Sequence, residues 1–106
     1  MNIRIFDSAK LDLVDGYLFY EQQKNGVGQY FLDSLYSDID SLALYAGVHP
    51  KKSECFHWSL SKRFPYAIYY TLEDDIVSVY AVLDCRQNPK QIEERLSQER
   101  TRRWSQ

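Results

Sequence analysis

A small α+β domain is predicted, with a helical hairpin packed on a small, mostly antiparallel sheet in the order β-α-α-β-β-β-α. Three observations carry this. The chain has 106 residues, one domain's worth. Two stretches with helical apolar spacing follow one another, separated only by Lys24, Asn25 and Gly26. Three strand-like runs then succeed each other between 54 and 83 without a helical crossover between them.

The elements follow in order. Asn2 to Phe6 alternates, with Ile3 and Ile5 on one side, and reads as a first strand. Asp7 or Ser8 offers an oxygen to cap a helix from Ala9 to Gln23. Leu11, Val14 and Leu18, with Tyr17 beside them, are the expected core stripe of that helix, and Gly16 weakens it slightly. Gly26 suits the left-handed position that ends a helix. A second helix is predicted from Val27 to Ala46, with Phe31, Leu35, Ile39 and Leu42 inward. Residues 49–53 read as a polar loop. Strands are expected at 54–61, 66–72 and 76–83, the last two joined by the acidic turn Glu73, Asp74, Asp75. The run from Ile76 to Leu83 has few polar residues, so a central strand is expected there. Asn88, Pro89 and Gln91 form a helix start: a capping Asn, Pro at the first position and Gln three after the cap. The third helix, to about Arg103, has few apolar residues beyond Ile92, Leu96 and Trp104, and a helix so polar is marginal alone.

Composition narrows the function classes. The chain is 44% hydrophobic and 26% charged, as in an ordinary soluble globular domain. Its net charge of −2 gives no overall attraction for nucleic acid. The charge is uneven: 7–40 holds seven acids against two lysines, 49–66 four bases against one acid, and 84–106 six bases against four acids. An acidic front and a basic back suggest two surfaces, although solvated helix faces would look similar. Cys55 and Cys85 are too few for a disulfide framework or a metal cluster, and neither a cofactor nor a metal is expected. Without a signal-like or membrane-length apolar run, a cytoplasmic protein with no membrane partner is the expectation.

The run Arg63-Phe64-Pro65-Tyr66-Ala67-Ile68-Tyr69-Tyr70 has a physical logic. Pro65 lacks a backbone donor and belongs at a strand start, which leaves Arg63 at the rim of the sheet. Placed after a helical hairpin, this run resembles the RelE/ParE toxin superfamily of bacterial plasmid-stabilisation and type II toxin–antitoxin systems. Phe19-Tyr20-Glu21 with Gln22 and Gln23, Tyr30-Phe31-Leu32, Ala81-Val82-Leu83, Arg86 and Pro89 extend the resemblance over roughly 1 to 89. It implies a single toxin domain over 1–106, with its core at 1–89 and a C-terminal helix at 89–104. It also implies a sheet face that meets the target, and an antitoxin wrapped around the domain.

Two activities follow from the resemblance: ribosome-dependent cleavage of messenger RNA, or ParE-like poisoning of DNA gyrase by binding. Cleavage needs cations against the phosphate, a need that Arg63 and Arg86 match by position, and a proton-transfer group. Many relatives carry His directly after the Ala-Val-Leu strand, where this chain has Asp84, followed after Arg86 by Gln87 and Asn88. His49 and His57 lie elsewhere. The gyrase reading needs only a gripping surface. Arg63, Tyr66 and Arg86, with Arg100, Arg102, Arg103 and Trp104 of the basic helix, are its candidates, because Arg and Trp often dominate contact energies. Tyr17, Tyr20, Glu21 and Asp38 are the candidates for contact with the antitoxin. A third reading is an inactive remnant that only binds an antitoxin.

Overall fold

The computed structural model describes residues 1–52 and 55–104. The chain runs β1 (Asn2–Ile5), α1 (Asp7–Gln23), α2 (Val27–Tyr45), β2 (Lys51–Lys52), β3 (Phe56–Leu60), β4 (Tyr66–Glu73), β5 (Ile76–Asp84) and α3 (Pro89–Trp104). The strands form one sheet in the order β1-β5-β4-β3-β2. β1 lies parallel to β5, and every other pairing is antiparallel. The two-residue β2 falls where the sequence predicts a loop. It exists because Lys51 and Lys52 find the free edge of β3 opposite His57 and Phe56. The expected strand from 54 begins at Phe56; Glu54 lies outside the described residues.

β5 is central, between β1 and β4, as its near-continuous apolar run implies. Asp74 and Asp75 both take positive φ, 51° and 65°, the backbone that a two-residue hairpin turn requires. The strict alternation of β5 breaks at a bulge: Tyr69 faces Ala81, Tyr70 faces Val79, and Tyr80 has no partner on β4. That extra residue flips the parity. Val77, Val79 and Val82 therefore share one sheet face, and Tyr80, Ala81 and Leu83 the other.

The helical hairpin covers the first face. Phe31, Leu35, Ile39 and Leu42 of α2 are fully buried against Ile68, Tyr70, Val77 and Val79, as their spacing predicts. α1 departs from expectation. Leu11, Val14 and Leu18 are 63%, 49% and 51% exposed, while Ala9, Leu13 and Gly16 face inward. Small residues take two of these three inner positions, and α2 comes very close at Gly16. A Cβ on Gly16 would lie 2.4 Å from the Phe31 ring, and one on Gly28 would lie 2.8 Å from the Tyr17 ring. Gly16→Ala is accordingly expected to destabilise. The helix-propensity gain of about 1 kcal/mol is outweighed by overpacking of about 1–3 kcal/mol against a ring with no room to move. A urea midpoint at or above wild type would refute this.

The ends of the helices are held by local chemistry. No side chain caps α1, whose capping residue is Phe6; the Ser8 hydroxyl instead shares its single proton between the Tyr80 carbonyl and Glu99, at 3.1 and 3.2 Å. Gly26 sits at φ 91° between the two helices, and the Glu21 carboxylate accepts the amides of Gly26 and Gly28 at 2.9–3.1 Å. Asn88 caps α3 by accepting the Lys90 amide at 2.9 Å.

α3 lies across the second sheet face, where Ile92 and Leu96 are buried with Phe56, Ala67, Tyr69, Ala81 and Leu83. Thin in apolar residues, it is fastened by charge. Arg95 binds both oxygens of Asp12 on α1 (2.7 and 2.8 Å) and Glu99 (2.7 Å), and Glu99 also accepts from Arg102. Asp12 in turn accepts the Val82 amide of β5 at 2.9 Å, beyond the point where β1 stops pairing. Burial pushes the Asp12 carboxyl up, against the pull of Arg95 and the Val82 amide.

Candidate functional site

The residues singled out around Pro65 converge at one end of the sheet. Tyr66 opens β4 opposite Asp84, the last residue of β5. The Cys85 amide donates to the Pro65 carbonyl at 2.8 Å. Arg63 stands two residues before that bond and Arg86 one residue after it, so both exposed arginines occupy the same rim.

Behind the rim is a cluster of rings. Tyr20 of α1 stacks on Phe31 (5.2 Å between centroids) and meets Phe64 edge-on at 4.9 Å, while Tyr66 meets Phe31 at 4.9 Å. Such pairs add about 0.5–1.5 kcal/mol each beyond area burial. The cluster ties the turn that carries Arg63 to the helical hairpin. The Tyr20 hydroxyl also lies 3.4 Å from an Arg86 nitrogen.

The charge at the rim is largely answered from within. Asp84 receives the Arg86 side chain through both oxygens, at 3.0 and 2.8 Å, and the Arg86 amide at 2.8 Å. The Arg86 hydrogen bond holds the Asp84 carboxyl below the usual carboxylate range, and the same bond raises the Arg86 guanidinium. Beside the pair opens a cleft of about 350 Å³, lined by Asp12, Asp15, Asp84, Phe19, Tyr66 and Arg95. Three of those side chains are carboxylates. Burial, reinforced by Asp84, pushes the Tyr66 phenol up to about 12.

The other candidates fall in different places. Asp38 is buried at 8% exposure and holds the turn before β4, accepting the Ser61 hydroxyl at 2.7 Å and the Lys62 amide at 3.3 Å. Tyr17 packs over Gly28, Tyr20 belongs to the ring cluster, and Glu21 caps the hairpin turn. All four residues expected at the antitoxin surface thus have internal work. The large apolar residues that the hairpin presents outward are Leu11, Val14, Leu18 and Phe19 on α1 and Tyr30, Tyr36, Leu44 and Tyr45 on α2. The periodicity of 11, 14 and 18 found that surface and misplaced it. Arg100 is exposed on α3, and Arg102 is paired with Glu99. The side chains of Arg103 and Trp104 lie outside the described residues.

Among the described residues, no group of three or more His, Cys, Asp or Glu side chains is arranged to hold a metal ion, and no helix is long and apolar enough to cross a membrane.

No protein-family model matches the sequence, and no curated protein matches it. Among solved structures, a chain of the chromosomal ParDE TA system from P. aeruginosa is similar, with a TM-score of 0.72 and 13% sequence identity. The match covers 77% of this chain and 92% of that one. The α+β fold implied by the tyrosine strand and the helical hairpin is therefore the fold of this chain, and it is shared with a chain of a ParDE system.

Proposed function

We propose that this chain is the toxin of a type II toxin–antitoxin pair, and that it acts as ParE-like proteins do, by gripping DNA gyrase. The observation that carries the choice of binding over RNA cleavage is the cleft at the arginine rim. Asp12, Asp15 and Asp84 surround it, and Asp84 answers the charge of Arg86. Cleavage requires uncompensated positive charge where the phosphate gains negative charge. It also requires a proton-transfer group with a pKa near the working pH, and the Tyr66 phenol at about 12 is far from that. Binding asks only for exposed arginines and aromatic surface on a rigid frame.

The antitoxin, on this reading, covers the outward stripe of Leu11, Val14 and Leu18. A helix with one apolar side and basic flanks suits it, because Asp7, Asp15 and Asp33 are exposed on the same hairpin.

The test is purified protein assayed in parallel against gyrase supercoiling and translating ribosomes. Loss of supercoiling without transcript cleavage is the expected result. Transcript cleavage would replace this reading with the ribosome-dependent nuclease, and silence in both assays would indicate an inactive antitoxin-binding remnant. Arg63→Ala and Arg86→Ala are expected to lower toxicity in cells; the exposed Arg63 should leave the unfolding midpoint unchanged, and Arg86→Ala, which removes the surface pair with Asp84, should lower it only slightly. Full toxicity of both variants would move the gripping surface away from this rim.

A further inference from the structure

The turn between α2 and β2 is fastened to the sheet by one tyrosine and two histidines. Tyr70 of β4 is wholly buried, and its hydroxyl emerges beneath the turn. The Gly47 amide donates to that hydroxyl at 3.0 Å, and the His49 amide turns toward the same oxygen. The Nδ1 atom of His49 lies 2.6 Å from it. His57 of β3 lies nearly flat on the Tyr70 ring, at 5.2 Å and 22°, and its Nδ1 is 2.7 Å from the His49 carbonyl.

Counting protons assigns Nδ1 on each ring. A carbonyl only accepts, so Nδ1 of His57 carries its hydrogen whether or not that ring is charged. A tyrosine hydroxyl has one proton to give and two lone pairs. With backbone amides directed at the oxygen, its own proton goes to Nδ1 of His49. That nitrogen must then be bare, which makes His49 neutral with its hydrogen on Nε2. A second proton on His49 would set two hydrogens against each other across 2.6 Å, beside the fully buried Tyr70 ring.

We infer that His49 is a proton-operated latch: neutral, it closes the 47–49 turn onto Tyr70 and steadies the β2 edge; protonated, it lets both go. The β2 edge depends on this turn through Pro50, whose carbonyl accepts the Trp58 amide at 3.0 Å, and through the pairing of Lys51 with His57. The turn also forms one wall of a cleft of about 470 Å³ beside the free edge of β3. The charged and titratable groups facing His49 are Asp38 and Tyr45 of α2, His57 of β3, Tyr70 of β4 and Lys62 of the following turn. Asp38 and Lys62 oppose one another in sign. Burial lowers the His49 pKa, and a charge on His57 lowers it further.

The sign follows from linkage. The released turn binds a proton with the ordinary histidine value of 6.5, and the closed turn binds it less well. The stabilising effect is therefore complete above about 6.5 and lost as pH falls through the closed-state value.

The test is ring-nitrogen NMR of the whole chain, with amide hydrogen exchange at Gly47 and Lys51, from about pH 8 to about pH 5. The expected results are a bare, hydrogen-bonded Nδ1 on His49 at high pH and a titration midpoint below 6.5. Gly47 exchange, after correction for the intrinsic pH effect, should rise up to about tenfold per pH unit between 6.5 and that midpoint and level off below it. His57→Gln should raise the His49 midpoint while Gly47 exchange continues to follow it. In Tyr70→Phe the midpoint should return toward 6.5, with Gly47 unprotected throughout. A hydrogen on Nδ1 at high pH, a midpoint at or above 6.5, or Gly47 exchange indifferent to His49 would each overturn the latch.

Discussion

Arg95→Leu is expected to destabilise the protein by about 3–5 kcal/mol, the usual cost of removing one partner from a buried ionic group. Arg95 is the hub that joins α3 to α1. Its loss strands Asp12, whose side chain is 11% exposed, and deprives Glu99, at 1%, of its shorter guanidinium contact. Asp12 keeps the Val82 amide, and Glu99 keeps Arg102 and Ser8, so the cost stays within that range. Urea unfolding at neutral pH measures it, and hydrogen exchange should show α3 losing protection first, because its apolar anchor is essentially Ile92 and Leu96. Adding Glu99→Leu should restore part of the loss, since a leucine at a nearly sealed site needs no counter-charge. A single variant within about 1 kcal/mol of wild type would mean that α3 is held by its apolar contacts alone.

The second large effect concerns recognition. The double substitution Val14→Lys with Leu18→Lys should leave folding nearly untouched, because both side chains are about half exposed. Binding to the proposed antitoxin should weaken by about 30-fold or more, which is the loss of about 2 kcal/mol that marks a contact hot spot. Two added lysines on an acidic hairpin also repel the basic flanks proposed for the partner. Calorimetric titration of the purified pair reads the change directly, with the unfolding midpoint as the control. An affinity within about threefold of wild type would place the antitoxin elsewhere on the domain. The gyrase assay of the same variant should be unchanged, because these residues lie on α1 and not in the turn that carries Arg63.

Much of the architecture was legible because its signals are local. The α2 stripe of Phe31, Leu35, Ile39 and Leu42 buries where its spacing says it should, because a strongly amphipathic helix has only one way to face a core. Pro65 sits immediately before β4, and Asn88 and Pro89 start α3, because a missing donor and a capping oxygen act within a residue or two. The β4–β5 hairpin follows from two apolar runs joined by a two-residue acidic turn. The convergence of Arg63 and Arg86 at one rim follows from that hairpin alone, because its open end brings 65 beside 85.

What tertiary structure decided depends on a neighbour that local pattern does not name. α1 offers two candidate inner sides, Leu11-Val14-Leu18 and Ala9-Leu13-Gly16, and periodicity favours the first; the Phe31 ring from α2 reverses the choice by demanding Gly16. The bulge at Tyr69 and Tyr70 shifts the facing of β5 midway, so period two fails in the middle of that strand. α3 reads as a marginal polar helix because its anchor, Arg95 to Asp12, spans most of the chain, and a pair so distant in sequence leaves no periodic trace. In sequence Asp84 only stands where many relatives carry His; in three dimensions it is the counter-charge of Arg86. Residue order thus determined which helices and strands form and which turns join them. Close packing and long-range charge decided which side of each helix is hidden, and so which surface remains for a partner.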